Sequence, residues 1–101
     1  MRLLALCLLP VLVAGSPVAA EEPPDPAAFV KERCGACHET RPGRASGFLS
    51  RRRSLQEMAD DPATTADGLR SFLATPHVGI DALRLEPEQV ETVVGYVMGL
   101  R

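Results

Sequence analysis

Two cysteines and a histidine stand close together in the chain, as Cys34, Cys37 and His38. Two thiols at this spacing can each form a thioether with one vinyl group of a porphyrin. The histidine that follows can place an imidazole nitrogen on one face of its iron. Gly35 and Ala36, between the cysteines, are small enough for the backbone to pass close to a flat ring. The run matches C-x-x-C-H, the attachment signature of a c-type haem, and predicts one covalent haem with His38 as proximal axial ligand.

A C-x-x-C pair also occurs in thioredoxin-like redox sites and in half-sites for zinc. A thioredoxin-like site needs a βαβ frame around the pair, and a zinc site needs a second ligand pair with similar spacing. The sequence offers neither. Its third cysteine, Cys7, lies in a segment that we expect to be removed. A thiol redox role for Cys34 and Cys37 stays as the alternative outside haem chemistry.

Residues 1–20 are typical of a secretory signal peptide. Arg2 is a short positive region, residues 3–14 form an apolar run, and small residues precede the acidic stretch that follows Ala20. The apolar run is too short to span a bilayer. We therefore expect cleavage after Ala20, a periplasmic product and no stable membrane insertion. An uncleaved signal anchor is the alternative.

Removal of residues 1–20 leaves 81 residues and changes the net charge from −2 to −3. So small a charge indicates no nucleic acid partner. A chain of this size buries a marginal core, and haem, a large flat apolar body, would supply the missing contact. We therefore expect the apoprotein to fold poorly. Both remaining cysteines belong to the motif, so no structural disulfide is expected.

The pattern after a disordered leader, residues 21–24, predicts one helical domain over residues 25–101. Asp25 is expected to cap a first helix with Pro26 at its start, which places the cysteines at the helix C-terminus. A short helix is expected over residues 54–59. A third helix should start at residues 64–65 and end before a proline, Pro76.

The closing helix is expected from Glu86 to Arg101 and to pack against the first helix. One stripe of it consists of Val90, Val93, Val94 and Val97. Residues 40–53 show no helical or strand period and predict a loop on the proximal side of the haem. Its basic cluster, Arg51, Arg52 and Arg53, is a solvated surface run, a partner for a haem propionate, or a docking site for an acidic redox partner.

Residues 25–101 resemble a small monohaem c-type cytochrome, a class I cytochrome c-like domain. Besides the motif, the resemblance rests on residues 73–77, which read Leu-Ala-Thr-Pro-His, and on residues 90–100, which are similar to the family's closing helix with its tyrosine. The resemblance implies an all-α, cytochrome c-like fold wrapped around one covalently attached haem c.

The family commonly places a methionine three residues after this histidine, and its sulfur binds the iron on the distal side. Here Ile80 occupies that position, and isoleucine has no lone pair for a metal. His77 is the best remaining candidate for the distal axial ligand. Alternatively, His77 stays at the loop edge, hydrogen-bonded to backbone or propionate. Met58 and Met98 are weaker candidates that are more typical of packing.

A second departure concerns the loop after the motif. Members of the family have a proline there whose carbonyl orients the proximal imidazole. The nearest counterparts here are Gly47 and Phe48, so the orientation of His38 needs another explanation.

The resemblance implies a periplasmic carrier of single electrons that is not an enzyme and meets redox partner proteins of unknown identity. The alternative is a five-coordinate or bis-histidine haem protein that binds CO, NO or peroxide as a sensor or scavenger, with weak peroxidase activity at most. A further alternative is an accessory haem domain with poor electron transfer.

Overall fold

The computed structural model of the chain describes residues 10–17, 24–75 and 84–101. Within these ranges the chain forms α-helices and no strand, which confirms the prediction of an all-α chain there. The helices are α1 (Pro26–Cys34), α2 (Leu55–Asp60), α3 (Ala66–Leu73) and α4 (Pro87–Met98). In this part of the chain no helix has both the length and the apolar character needed to cross a membrane. Four positions of interest lie outside the described residues: Cys7, Ala20, His77 and Ile80.

Helix α1 begins where the sequence predicts it. The carboxylate of Asp25 accepts a hydrogen bond from the backbone N–H of Ala28 at 3.2 Å, and Pro26 occupies the first turn, where no backbone N–H is needed. The helix ends at Cys34, and Cys37 lies in the turn that follows. Both thiols are therefore delivered from the C-terminal end of one short helix, as expected.

Helix α2 begins with a reciprocal cap. The Ser54 hydroxyl accepts from the backbone N–H of Glu57 at 3.1 Å, and the Glu57 carboxylate accepts from the backbone N–H of Ser54 at 2.8 Å. Ser54 is fully buried, so these bonds also satisfy groups that water does not reach. Helix α3 begins after Thr65, whose hydroxyl accepts from the Gly68 backbone N–H at 3.0 Å. Both starts agree with the predicted ones.

The core joins α1, α2 and α4. Its buried members are Val30, Leu55, Ala59, Val93 and Val97. All four valines of the predicted stripe on α4 are buried, which confirms that this helix packs through that face. Valine has a weak helix propensity, so packing rather than intrinsic preference stabilises α4.

The closing helix ends earlier than predicted. It stops at Met98 rather than Arg101. The reason for the earlier end is Gly99, a poor helix former that stands at the C-cap of α4. Arg101 instead donates through its guanidinium to three backbone carbonyls, those of Ala59 at 2.7 Å, Asp61 at 3.3 Å and Thr64 at 2.5 Å. The last residue therefore ties α4 to the connection between α2 and α3.

Candidate functional site

An apolar groove lies between the end of α1 and the other three helices. Cys34 and His38 both lie on its wall, so the fold brings one thiol and the imidazole of the motif to the same cavity. The remaining lining is apolar and consists of Leu55, Met58, Leu69, Phe72, Leu73, Val93 and Val97. Two residues of the predicted haem-attachment motif, Cys34 and His38, therefore lie on an apolar binding surface.

Helix α3 contributes an apolar face that the protein itself covers only in part. None of its residues is buried. Leu69 and Leu73 are half-buried, and Phe72 is 58% exposed. An amphipathic helix normally buries its apolar stripe against the core. The face of α3 on the groove is therefore suited to contact a further apolar body.

The enclosed part of the groove holds about 120 Å³. This volume is smaller than the roughly 300–1,000 Å³ of typical small-molecule sites. A flat group of porphyrin size therefore fits only with part of its ring outside the enclosed volume.

The ring of His38 is held by the backbone. Its Nδ1 atom lies 2.7 Å from the carbonyl oxygen of Arg53. A carbonyl can only accept, so Nδ1 carries the hydrogen and, in the neutral imidazole, Nε2 has the lone pair. A histidine that ligates a metal through one nitrogen typically donates the other N–H in this way. His38 therefore fits the role of an axial iron ligand.

The carbonyl that orients His38 comes from neither of the two counterparts of the family's proline. The sequence suggested Gly47 or Phe48 as counterparts of the family's proline, and both are exposed, Phe48 with a relative exposure of 102%. The carbonyl comes instead from Arg53, at the end of the loop. The physical reason is that the reciprocal cap at the start of α2 fixes the backbone beside Arg53, whereas the Gly47 carbonyl accepts from the backbone N–H of Ser50 at 2.8 Å in a turn of its own.

The basic cluster of the loop divides into two parts. Arg53 forms an ion pair with Asp61, with Nη1 and Oδ2 3.1 Å apart. Arg51 and Arg52 are exposed. The predicted roles, as a partner for a haem propionate or as a docking site for an acidic protein, therefore apply to Arg51 and Arg52.

The surroundings of the Cys34 thiol disfavour its thiolate form. No disulfide joins Cys34 and Cys37, and burial raises the pKa of Cys34 despite the opposing effect of Arg33. A raised pKa keeps the Cys34 thiol protonated at neutral pH, whereas reactive redox cysteines have lowered values. This observation counts against the thiol redox alternative. Across residues 10–17, 24–75 and 84–101, no three His, Cys, Asp or Glu side chains group as ligands for a metal ion of their own.

Gly35 is required by the end of α1. It lies at the C-cap, and a Cβ built there would overlap the backbone carbonyl oxygen of Lys31. The turn that carries Cys37 therefore starts at a position where the backbone packs too closely for a side chain.

A charged pair follows the motif directly. The Glu39 carboxylate accepts from Arg41 at Nε, 2.8 Å away, and at its backbone N–H, 3.1 Å away. The hydrogen bonds from Arg41 lower the pKa of Glu39 to about 2. The carboxylate beside His38 is therefore charged and paired across the neutral range.

The candidate residues are only partly brought together. Cys34, His38 and Met58 line the groove, and Cys37 lies in the adjacent turn. Met98 is half-buried at the end of α4 and is not part of the groove lining. His77 lies outside the described residues. Sequence reasoning missed the carbonyl of Arg53, for which residue type gives no signal.

Comparison with protein-family models, curated proteins and solved structures finds no match to this chain.

Proposed function

We propose that this chain is a periplasmic c-type cytochrome that holds one covalent haem and transfers single electrons. The observation that carries the proposal is the state of His38. Its Nδ1–H is bonded to a backbone carbonyl, which leaves Nε2 as the ligand atom of a ring on the wall of an apolar groove. Combined with the C-x-x-C-H spacing, this arrangement provides two thioether positions and one axial ligand.

Each residue of the site has a defined task in this proposal. Cys34 and Cys37 hold the group through thioether bonds, and His38 binds the iron on the proximal side. His77 is the candidate for the distal side. The apolar walls on α2, α3 and α4 exclude water from the ring. The bound haem supplies one-electron chemistry, since its iron alternates between the ferrous and ferric states.

Ile80 favours a second candidate function. Without the family's methionine, the distal side is open, is filled by His77, or is filled by one of the weaker candidates Met58 and Met98. An open side gives a haem protein that binds CO, NO or peroxide as a sensor or scavenger rather than an electron carrier.

Absorption spectra of the protein matured in an export-competent host test both functions. We expect haem that survives a denaturing gel and a mass equal to residues 21–101 plus one haem. A low-spin spectrum that CO does not change supports electron transfer, and rapid CO binding by the reduced protein supports the second candidate. Colourless protein with the mass of the bare processed chain contradicts both.

Cysteine variants provide the matched control. Cys34→Ala and Cys37→Ala should each remove one thioether and weaken the haem stain. Cys7→Ala should leave the stain unchanged, because Cys7 is expected to be removed with the signal peptide.

A further inference from the structure

The hydrogen bond to His38 depends on a loop residue. Residues 41–53 contain turns and no helix or strand, so the ladder bonds of regular structure do not hold the Arg53 carbonyl. A loop carbonyl drifts with its backbone unless another contact restrains it. The cap at the start of α2 fixes this peptide unit on its Ser54 side, so the 2.7 Å bond to Nδ1 depends in addition on a restraint on Arg53 itself.

The side chain of Arg53 provides that restraint. Its Nη2 donates to the backbone carbonyl of Glu57 at 2.9 Å, and its Nη1 donates to Oδ2 of Asp61 at 3.1 Å. Both acceptors belong to α2 or to the residue that directly follows it. Arg53 thus accepts a hydrogen bond from His38 with its backbone carbonyl and donates to Glu57 and Asp61 with its guanidinium.

The groups that accept from the Arg53 guanidinium are themselves held by further hydrogen bonds. Oδ1 of Asp61 accepts from the Ala63 backbone N–H at 2.9 Å, which leaves Oδ2 for Arg53. Arg101 donates to the carbonyl of Ala59 at 2.7 Å and to that of Asp61 at 3.3 Å. The acceptors used by Arg53 are therefore fixed relative to α4.

We infer that Arg53 is a positioning residue for His38: its guanidinium, held by the Glu57 carbonyl and the Asp61 carboxylate, keeps its own carbonyl oxygen on Nδ1. The redox consequence of this inference rests on the proposed function. A hydrogen bond to Nδ1–H increases the basicity of the imidazole, which favours ferric iron and lowers the midpoint potential. Loss of the guanidinium should therefore raise the potential.

Three variants of the holoprotein test the inference. Arg53→Ala removes the hydrogen bonds to the Glu57 carbonyl and the Asp61 carboxylate. Arg53→Lys keeps the positive charge but has only one donor nitrogen. Arg44→Ala is the matched control, since Arg44 is an exposed arginine of the same loop and its side chain makes no hydrogen bond or ion pair within the described residues. The readouts are the midpoint potential and the exchange rate of the His38 Nδ1–H by nuclear magnetic resonance.

We expect Arg53→Ala to raise the midpoint potential and to accelerate Nδ1–H exchange about tenfold or more, the factor for loss of a well-formed hydrogen bond. Arg53→Lys should fall between Arg53→Ala and the parent, and Arg44→Ala should match the parent. Equal potentials and exchange rates in Arg53→Ala and Arg44→Ala would overturn the inference.

Asp61→Asn covers the case in which Arg53→Ala does not fold. The asparagine oxygen still accepts from Ala63, while its NH₂ group faces the guanidinium and cannot accept from it. We expect Asp61→Asn to raise the midpoint potential and the Nδ1–H exchange rate by less than Arg53→Ala does. Unchanged values would contradict the inference. If the parent protein carries no haem, the proposed function fails, and Nδ1–H exchange in that protein still tests the restraint.

Discussion

The hydroxyl of Tyr96 donates to the backbone carbonyl oxygen of Thr40 at 2.6 Å. Thr40 lies two residues after His38 and is only 6% exposed, so its carbonyl has little access to water. Burial raises the pKa of Tyr96, which keeps the hydroxyl protonated as a donor. The closing helix therefore holds the segment that leaves the motif, in addition to packing on α1.

Tyr96→Phe should lower the free energy of unfolding by about 1–2 kcal/mol, because it leaves the shielded carbonyl of Thr40 without a donor. Tyr96→Leu should cost more, since it also removes aromatic contact with the core. Denaturant unfolding of the holoprotein measures both. A phenylalanine variant as stable as the parent would mean that water replaces the hydroxyl.

Gly35→Ala should lower the free energy of unfolding by about 1–3 kcal/mol, the usual effect of overpacking, because the new methyl overlaps the Lys31 carbonyl. Gly47→Ala is the matched control, since a Cβ there has no neighbour within 4 Å. Its effect should stay within about 0.5 kcal/mol. Equal losses in the two variants would show that the end of α1 relaxes without strain.

The apolar face of α3 should contribute to haem binding rather than to the stability of the protein without haem. Phe72 lines the groove, whereas its neighbour Ser71 is exposed. Phe72→Asp should lower the haem content by about tenfold or more, because a carboxylate against an apolar ring loses its hydration. Ser71→Asp should retain normal content. Haem content per protein from absorbance measures the difference, and equal contents would exclude α3 from the haem surface.

Stability should fall in acid through Glu57. Hydrogen bonds from the backbone N–H of Ser54 and from Ser46 lower the folded-state pKa of Glu57 below its ordinary value of 4.5. Its contribution is therefore fully present above that value and is lost as the pH falls through the folded-state pKa. The difference in free energy of unfolding between the parent and Glu57→Gln should therefore shrink as the pH is lowered below 4.5.

The midpoint potential should be lower than that of a methionine-ligated c-type cytochrome, because neither an imidazole nor an open site favours ferrous iron as a thioether does. Electrochemical titration measures it, and a value as high as that of such a relative would mean that a methionine binds the iron. His77→Ala then identifies the distal ligand. If His77→Ala converts a low-spin protein that does not bind CO into one that binds CO, His77 is the distal ligand. An unchanged spectrum excludes His77.

The helix starts could be predicted because their signals are local. Asp25, Pro26 and Thr65 act on backbone groups within a few residues, so residue type and spacing suffice. The valine stripe of α4 was equally visible, since burial of one helix face imposes its own period. The same reasoning located the two cysteines at the end of α1.

The contacts that orient the site could not be predicted in the same way. His38 and Tyr96 both bond to backbone carbonyls, those of Arg53 and Thr40, and every residue offers such a carbonyl. Only the path of the loop decides which one is near. The end of α4 was also missed, although Gly99 after the last valines was a signal for it.

The burial of Cys34 bears on the biogenesis of the protein. Its side chain packs against the core and shares the groove with Val93 and Val97 of α4. In the proposed cytochrome, a vinyl group has to reach that sulfur before α4 closes over it. In that cytochrome, we therefore expect the thioether at Cys34 to form before α4 has packed.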